Sequence, residues 1–480
     1  MVRAIQKTLY LVLACFIGLF IASSFFIRAK YNYFVYGDTP VLEKQQLGLF
    51  ILGIVVVLAL SVILYKTCLK LNQYSWKIVI PATLLCSFAI QIVIIFLFPR
   101  LPTDDSQTVL RLFPDNYLVI KVLNILFTLL TSLMIYLLYK ELNDKSKDHD
   151  YGILVFAATY IPSLFMSNLI YNDVIATAFL TSALYFAVKF IKRKSIKDIV
   201  FAAIFLAVGN YFRSIGVIFL IAVVVSLLFN MRAIGVKKAL SALFITALLF
   251  NVPGWMQNAV LQATNVVDEP INENSAPVYM WLNMGINLET FGFWDNWQSY
   301  TIYQQDANYN KAESTQLFKE EISHKLSEAS LRDIVKMYYK KIVWTWTEGT
   351  YQIERYGLGN DGSSSNGGRM SFVMDRYSCT NAATDLFKAD SKYRSGMLWL
   401  LYVLNFLMYV CILIRLIRGI RAKRYEETSL ILVVLGFIGF YLLWEIKSRY
   451  IYPVYPLLIV LSYMGFKDVY DYMLKRYFPR

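Results

Sequence analysis

Charge is what this 480-residue sequence has least of: Asp, Glu, Lys and Arg together make up 17% of it, against about a quarter in an ordinary soluble domain. Hydrophobic residues make up 57%, and the mean hydropathy is +0.48. A water-soluble globular enzyme of this size could not hide that much apolar surface. Glycine (22) and proline (12) are sparse while aromatics reach 16%, which excludes a disordered or collagen-like chain. The two histidines, His149 and His324, are far apart, and of the five cysteines only Cys379 falls in a long hydrophilic segment. Neither a His/Cys zinc site nor a disulfide framework follows from such spacing. The sequence contains no P-loop, dinucleotide fingerprint, HExxH or internal repeat, so energy and chemistry must come from the substrate or from a gradient.

What is present is a series of apolar runs long enough to cross a bilayer, for which about 20 residues per helix are needed. They predict an all-α polytopic membrane protein with twelve spans, near 8–27, 47–65, 78–98, 118–139, 152–170, 174–191, 198–211, 214–231, 238–255, 395–416, 428–445 and 451–467. Arg3 and Lys7 precede the first run in the manner of a signal peptide. That run is long and lacks a small-residue cleavage site, so it reads as a retained anchor.

The net charge of +14 sets topology and contacts anionic membrane lipid; it does not point to nucleic acid. With the N-terminus inside, the inner segments hold Lys66, Lys70 and Lys77, then Lys189, Lys192, Arg193, Lys194 and Lys197, then Arg232, Lys237 and Lys238. They also hold Arg415, Arg418, Arg421, Lys423 and Arg424, whereas the opposite short loops carry few cations. The positive-inside rule therefore predicts both termini inside, as an even span count requires. Three parts follow: residues 1–255 with spans one to nine and their outer loops, an extracytoplasmic domain over 256–394, and residues 395–480 with the last three spans. In the middle part, residues 311–341 show helical apolar spacing. Residues 357–371, rich in Gly, Ser and Asn, read as a mobile lid or a plain linker.

The informative charges are those near hydrocarbon, where an ionised group is costly without pairing or function. Asp104 and Asp105 lie side by side just beyond the third span, suited to metal binding, to general-base work or simply to capping a helix. Asp173, in Tyr171-Asn172-Asp173, lies in a short turn on the same face. Arg213 sits between two closely spaced spans, where it either snorkels or holds an anion. Before the last span come Glu445, Lys447, Arg449 and Tyr450 against Pro453 and Pro456. That set suits a phosphate at the bilayer surface, and equally an aromatic belt with snorkelling cations.

The order and sidedness of these pieces resemble the C-type fold membrane glycosyltransferases that use polyprenyl-phosphate sugars, in particular the bacterial family similar to protein mannosyltransferases. The resemblance is carried by Asp104-Asp105, Phe113-Pro-Asp-Asn116, Tyr171-Asn-Asp173, Tyr-Phe-Arg213, Met280-Trp-Leu-Asn-Met-Gly285 and Arg449-Tyr450. It implies transfer of a sugar on the outer face from an undecaprenyl-phosphate-type donor to an acceptor hydroxyl, usually with inversion. The acceptor it suggests is a cell-wall polysaccharide or teichoic acid. By the same resemblance Asp104 is the base, Asp105 its acidic neighbour, and Asp173 orients the acceptor or shares a divalent ion, Mg or Mn. Arg449, Lys447, Arg213 and Tyr450 would hold the donor phosphate, and Trp281, Asn283 and Glu445 would contact sugar or acceptor. Trp294, Trp297, Trp344, Trp346 and Tyr351 could stack on sugar faces or simply pack.

Twelve spans also suit a secondary transporter or lipid-oligosaccharide flippase. Many of those are built as two similar halves with midplane sites, whereas here the large segment follows span nine and the suspect charges sit at the rim. A polysaccharide polymerase or ligase is the third reading; it would be expected to rely on arginines, not on an early Asp pair.

Overall fold

The apolar runs fold as helices that gather into one bundle. The computed structural model describes residues 1–34, 37–98, 117–143, 149–169, 171–265, 275–295, 298–358, 381–388 and 391–477. The longer helices are α1 Val2–Phe26, α2 Leu47–Leu71, α3 Trp76–Leu97, α4 Tyr117–Leu142, α5 Asn172–Arg193, α6 Ile196–Phe212, α7 Gly216–Phe229 and α8 Val236–Ala263. After them come α9 Lys311–Glu328, α10 Leu331–Thr347, α11 Lys392–Ala422, α12 Thr428–Leu443 and α13 Tyr455–Tyr477. Seven of these (α1–α5, α8 and α11) are long and apolar enough to cross a membrane, and α7 and α12 are shorter apolar helices. α2 turns Leu52, Val55, Leu60 and Ile63 outward, the mark of a lipid-facing helix. α5 is mostly buried at the centre of the bundle.

The structure departs from the sequence expectation in three places. The run at 152–170 is two short helices, Gly152–Ala158 and Ile161–Met166, with Tyr160 extended between them. Pro162 supplies no N–H and is best accommodated in a first helical turn, which it occupies here with the chain broken just upstream of it. Ser87 on α3 donates to the freed carbonyl of Ala158 at 2.6 Å. The second departure is a two-stranded antiparallel hairpin, β1 Ile27–Phe34 with β2 Gly37–Lys44, pairing Ile27 with Lys44 and Tyr31 with Pro40. The helical spacing at 311–341 also proves to be two helices, α9 and α10, because Ser330 caps the second by accepting from Asp333 N at 3.2 Å. The Gly/Ser/Asn-rich stretch lies almost wholly outside the described residues.

The bundle has two distinct ends. At the basic end, Arg193 pairs with Glu141 at 2.8 Å, Lys189 with Asp198 at 3.1 Å and Arg415 with Asp468 at 3.0 Å, while the Tyr10 hydroxyl donates to Glu427 at 2.6 Å. At the other end sit the hairpin and the segment between α8 and α11. That segment, named the outer segment here after the side expected from the sequence, is not free-standing. Trp346 stacks on Phe20 of α1 with centroids 5.8 Å apart, and its carbonyl accepts from Asn405 Nδ2 at 3.0 Å and the Tyr409 hydroxyl at 2.7 Å. Gly349 turns the chain there at φ +73°, where a Cβ would meet Asn405 at 2.6 Å, so only glycine fits.

Within the bundle α11 and α13 approach so closely that a Cβ on Gly465 would lie 1.9 Å from the Cys411 carbonyl, while one on Gly18 of α1 would meet nothing within 4 Å. Gly465→Ala should therefore cost about 1–3 kcal/mol by forcing the two helices apart. Thermal unfolding in detergent should show a lowered midpoint for Gly465→Ala and none for Gly18→Ala; equal midpoints would contradict this packing.

Candidate functional site

The site is assembled from helix ends. Asp173 lies in the first turn of α5, where the helix dipole favours a carboxylate, and is completely buried. Arg213 caps α6 in an extended conformation at the break before α7. That break is tight: a Cβ on Gly216 would lie 2.7 Å from Asn210 Cβ. The turn aims Arg213 Nη1 at Asp173 Oδ1, and the two are ion-paired.

Arg449 reaches the same carboxylate from the last interhelical connection, a 3-10 helix over Ser448–Val454. Its Nε lies 3.8 Å from Asp173 Oδ2. The guanidinium is held between two aromatic faces, 4.3 Å from the Tyr171 ring centroid and 4.4 Å from that of Tyr356, with Tyr450 at 5.7 Å. The Arg449 side chain is only 2% exposed. Among the described residues its Nε and Nη1 have no hydrogen-bond acceptor, and neither does Asp173 Oδ2 have a donor. One carboxylate thus stands between a buried guanidinium and a half-buried one, and the stronger claim on it is that of the half-buried Arg213. A buried cation with unused N–H groups is expensive unless an anion completes it.

Tyr450 connects this cluster to Glu445. Its ring centroid lies 5.1 Å from the Arg213 guanidinium, and its hydroxyl reaches both Glu445 carboxylate oxygens at 3.1 Å. Glu445 is buried and Lys447 half-buried. Trp281 stands nearby, stacked on Trp444 at 6.3 Å and tilted against Trp294 at 5.7 Å. With Phe440 stacked on Trp444 at 4.9 Å, these half-buried rings form a row leading from the outer segment towards Tyr441 and Tyr450. Asn283 is elsewhere: it is fully buried, donates to Ser299 Oγ at 3.0 Å and accepts from Lys325 Nζ at 3.0 Å, all within the outer segment. Asp104 and Asp105, and with them Phe113-Pro-Asp-Asn116 and Trp297, lie outside the described residues. Phe98, just before that stretch, is tied to this end by its carbonyl, which accepts from Asn168 Nδ2 at 3.0 Å.

Several participants were not singled out from sequence. Tyr356 is one face of the Arg449 sandwich. Lys341 on α10 is buried and donates from Nζ to the Gly285 carbonyl at 2.5 Å. Burial pushes its pKa down to about 7, against the pull of Glu445. Gly285 itself is pressed on the end of α12, with the Leu443 carbonyl 2.0 Å from where a Cβ would be. Ile446 N donates to the Gly292 carbonyl at 2.8 Å. Glu348 and Glu354, both buried, share the Thr350 hydroxyl, 3.0 Å from Glu354 Oε2. Burial, and then the charge of Glu354, push the Glu348 carboxyl up.

Among the described residues no three His, Cys, Asp or Glu side chains come together as a metal-ligand set. Asp173, flanked by two guanidinium groups, does not fit a divalent ion either, because their charge opposes it.

Residues 106–256 match the profile of the family described as dolichyl-phosphate-mannose-protein mannosyltransferase. The matched stretch includes Asp173 and Arg213; it begins just after Asp105 and ends before Trp281 and Arg449. No curated protein matches the chain. The match supports a membrane glycosyltransferase of mannosyltransferase type supplied by a lipid-linked sugar.

Lys341 gives a test of how firmly the outer segment is seated. Its pKa is about 7 folded and ordinarily 10.5, so between those values the unfolded chain binds more protons and stability rises with pH. Below pH 7 both states are charged and the burial cost is felt in full. Lys341→Met should remove the rise in melting temperature that this group contributes between pH 7 and 10. An identical pH profile in wild type and variant would show that Lys341 is not buried as described.

Proposed function

We propose that this protein transfers a sugar from a polyprenyl-phosphate carrier, undecaprenyl phosphate in a bacterial membrane, to a hydroxyl on an extracytoplasmic acceptor. A cell-wall polysaccharide or teichoic acid is the acceptor class. The reading rests above all on Arg449: a buried guanidinium with unused N–H groups, beside a carboxylate already engaged by Arg213, fits a phosphate. Arg213 and Lys447 add positive charge, and Tyr450 presents its ring to both arginines.

The chemistry needs little else, because a sugar phosphate is already activated. The acceptor oxygen attacks the anomeric carbon, the bond from that carbon to the phosphate oxygen breaks, and the polyprenyl phosphate leaves with the bonding pair. The acceptor proton passes to a carboxylate, assigned to Asp104 with Asp105 beside it. Asp173 orients the arginines and the incoming hydroxyl. The cations stabilise the charge that grows on the leaving phosphate, which is where preorganised electrostatics contribute most. Trp281 and Glu445, at the two ends of the aromatic row, would meet the sugar or the acceptor, and Asn283 would support that surface from within the outer segment. The basic end of the bundle would face the cytoplasm and the Arg449 end the outside, in line with the positive-inside rule.

With purified protein, a polyprenyl-phosphate sugar and a wall-glycan acceptor, Asp104→Asn should lower turnover by about 100- to 10,000-fold while donor binding persists. Full turnover in that variant would remove Asp104 from the base role. Arg449→Ala should lower kcat/KM for the donor by about tenfold or more, the loss expected of a charged hydrogen bond. An unchanged donor dependence would contradict the phosphate assignment. Surface glycans from cells with and without the protein should differ by one sugar on mass analysis.

A further inference from the structure

At the basic end, as far as the bundle allows from Arg449, a half-open cavity of about 860 Å³ lies between α2, α4, α11 and α13. Its buried acids are already provided with donors. Asp150 accepts from the Tyr139 hydroxyl at 3.0 Å, the Tyr463 hydroxyl at 2.5 Å and Lys467. Asp468 takes Arg415 at 3.0 Å and also Arg418. Glu427, just behind, takes Arg415 Nε at 2.8 Å and Tyr10.

Among the described residues of the lining, the polar groups left over are N–H groups of two arginines and Nδ1 of His149, which has no partner. Arg418 is engaged through Nη1 alone and its side chain is 57% exposed. Arg424 makes no side-chain hydrogen bond or ion pair among the described residues, although its backbone is pinned. Lys423 ends α11 in the left-handed conformation, and Arg424 N donates to the Gly419 carbonyl at 3.0 Å. Gly419 in turn leaves no room for a Cβ, which would lie 2.8 Å from the Tyr10 ring. Two exposed carboxylates, Glu426 and Asp471, also line it, so that the described residues of the lining offer donors and acceptors together, which suits a head group carrying a phosphate with hydroxyls or an amine. Tyr65 and Leu69 of α2 line it, and on the same helix Leu58, Leu60, Ile63 and Leu64 are exposed. An acyl or prenyl chain can lie along that surface while its head group enters between the helices.

We propose that this cavity binds the phosphate-bearing head group of a membrane lipid through Arg418 and Arg424, at the basic end of the bundle, where pockets between helices recognise lipid head groups at a membrane's cytoplasmic face. The lipid is either a glycerophospholipid or a polyprenyl phosphate; both present the same phosphate to the same two guanidinium groups. The site is independent of the transferase reading, and its test needs no enzymatic activity.

The test is native mass spectrometry of the full-length protein in detergent, carrying Arg449→Met so that the phosphate site proposed above is silent, titrated with phosphatidylethanolamine, phosphatidylglycerol, polyprenyl phosphate and, as the phosphate-free control, diacylglycerol. A phosphate-bearing lipid should be retained and diacylglycerol should not. The double variant Arg418→Ala/Arg424→Ala should weaken retention by about tenfold or more. Lys70→Ala/Arg421→Ala removes the same charge from the same end but outside the cavity, and should leave retention unchanged. Whichever phosphate lipid binds more tightly identifies the source. Equal retention of diacylglycerol, no loss in the Arg418/Arg424 variant, or an equal loss in the Lys70/Arg421 variant would each overturn the proposal.

Discussion

A guanidinium withdrawn from water needs a partner for its charge and for each of its N–H groups. Arg449 has two tyrosine faces for its plane and part of one carboxylate for its charge, and among the described residues its Nε and Nη1 have no acceptor. Much of the arrangement around it serves to keep it there. α5 starts at Asn172 so that Asp173 falls in its first turn, and α6 stops at Phe212 so that Arg213 can take the near oxygen of that carboxylate. Pairing Asp173 with Arg213 leaves Arg449 with the more distant oxygen. The cluster keeps a surplus of positive charge in a place where water cannot easily screen it.

The same constraint explains why the outer segment is built into the bundle. Tyr356 supplies one wall of the Arg449 sandwich, so the chain between α10 and α11 must return to the helix ends. It does so through contacts that admit no side chain, at Gly285 against Leu443 and at Gly349 against Asn405. Lys341 fastens the Gly285 turn from above and feels the charge of Glu445, whose carboxylate holds the Tyr450 hydroxyl. Four stretches distant in sequence thereby share one rigid junction. On the proposed function, such a junction would hold the donor phosphate with little reorganisation at the moment of bond breaking, which is the main thing an activated leaving group requires.

The helices were legible because a hydrocarbon-facing run has to be apolar all round. Where the prediction of single spans failed, at 152–170, the fault lies with one residue, Pro162, whose missing N–H the hydropathy of the run does not register. The hairpin at 27–44 carries Tyr, Val and Thr between two spans and is short enough to pass for a loop. Asp173, Arg213 and Arg449 could be found because charge next to lipid is conspicuous, and the structure does bring those three together. Tyr356, Lys341 and Glu348 could not be found the same way: in a polar outer segment a lysine or glutamate reads as a solvated side chain, and only the tertiary fold buries it. Asn283, singled out for its place in the Met280–Gly285 motif, proves to be bonded on both sides within its own segment.

The account stands or falls on what completes Arg449. The most direct measurement compares the binding of polyprenyl phosphate with that of the uncharged polyprenol of the same chain length, in protein carrying Arg418→Ala/Arg424→Ala to silence the cavity at the basic end, with Arg449 intact or replaced in Arg449→Met, which retains much of the side-chain bulk without the charge. The account predicts that the protein with Arg449 intact prefers the phosphate by about tenfold or more and that Arg449→Met binds the two alike. Equal binding of both lipids with Arg449 intact, or a preference undiminished in Arg449→Met, would contradict it.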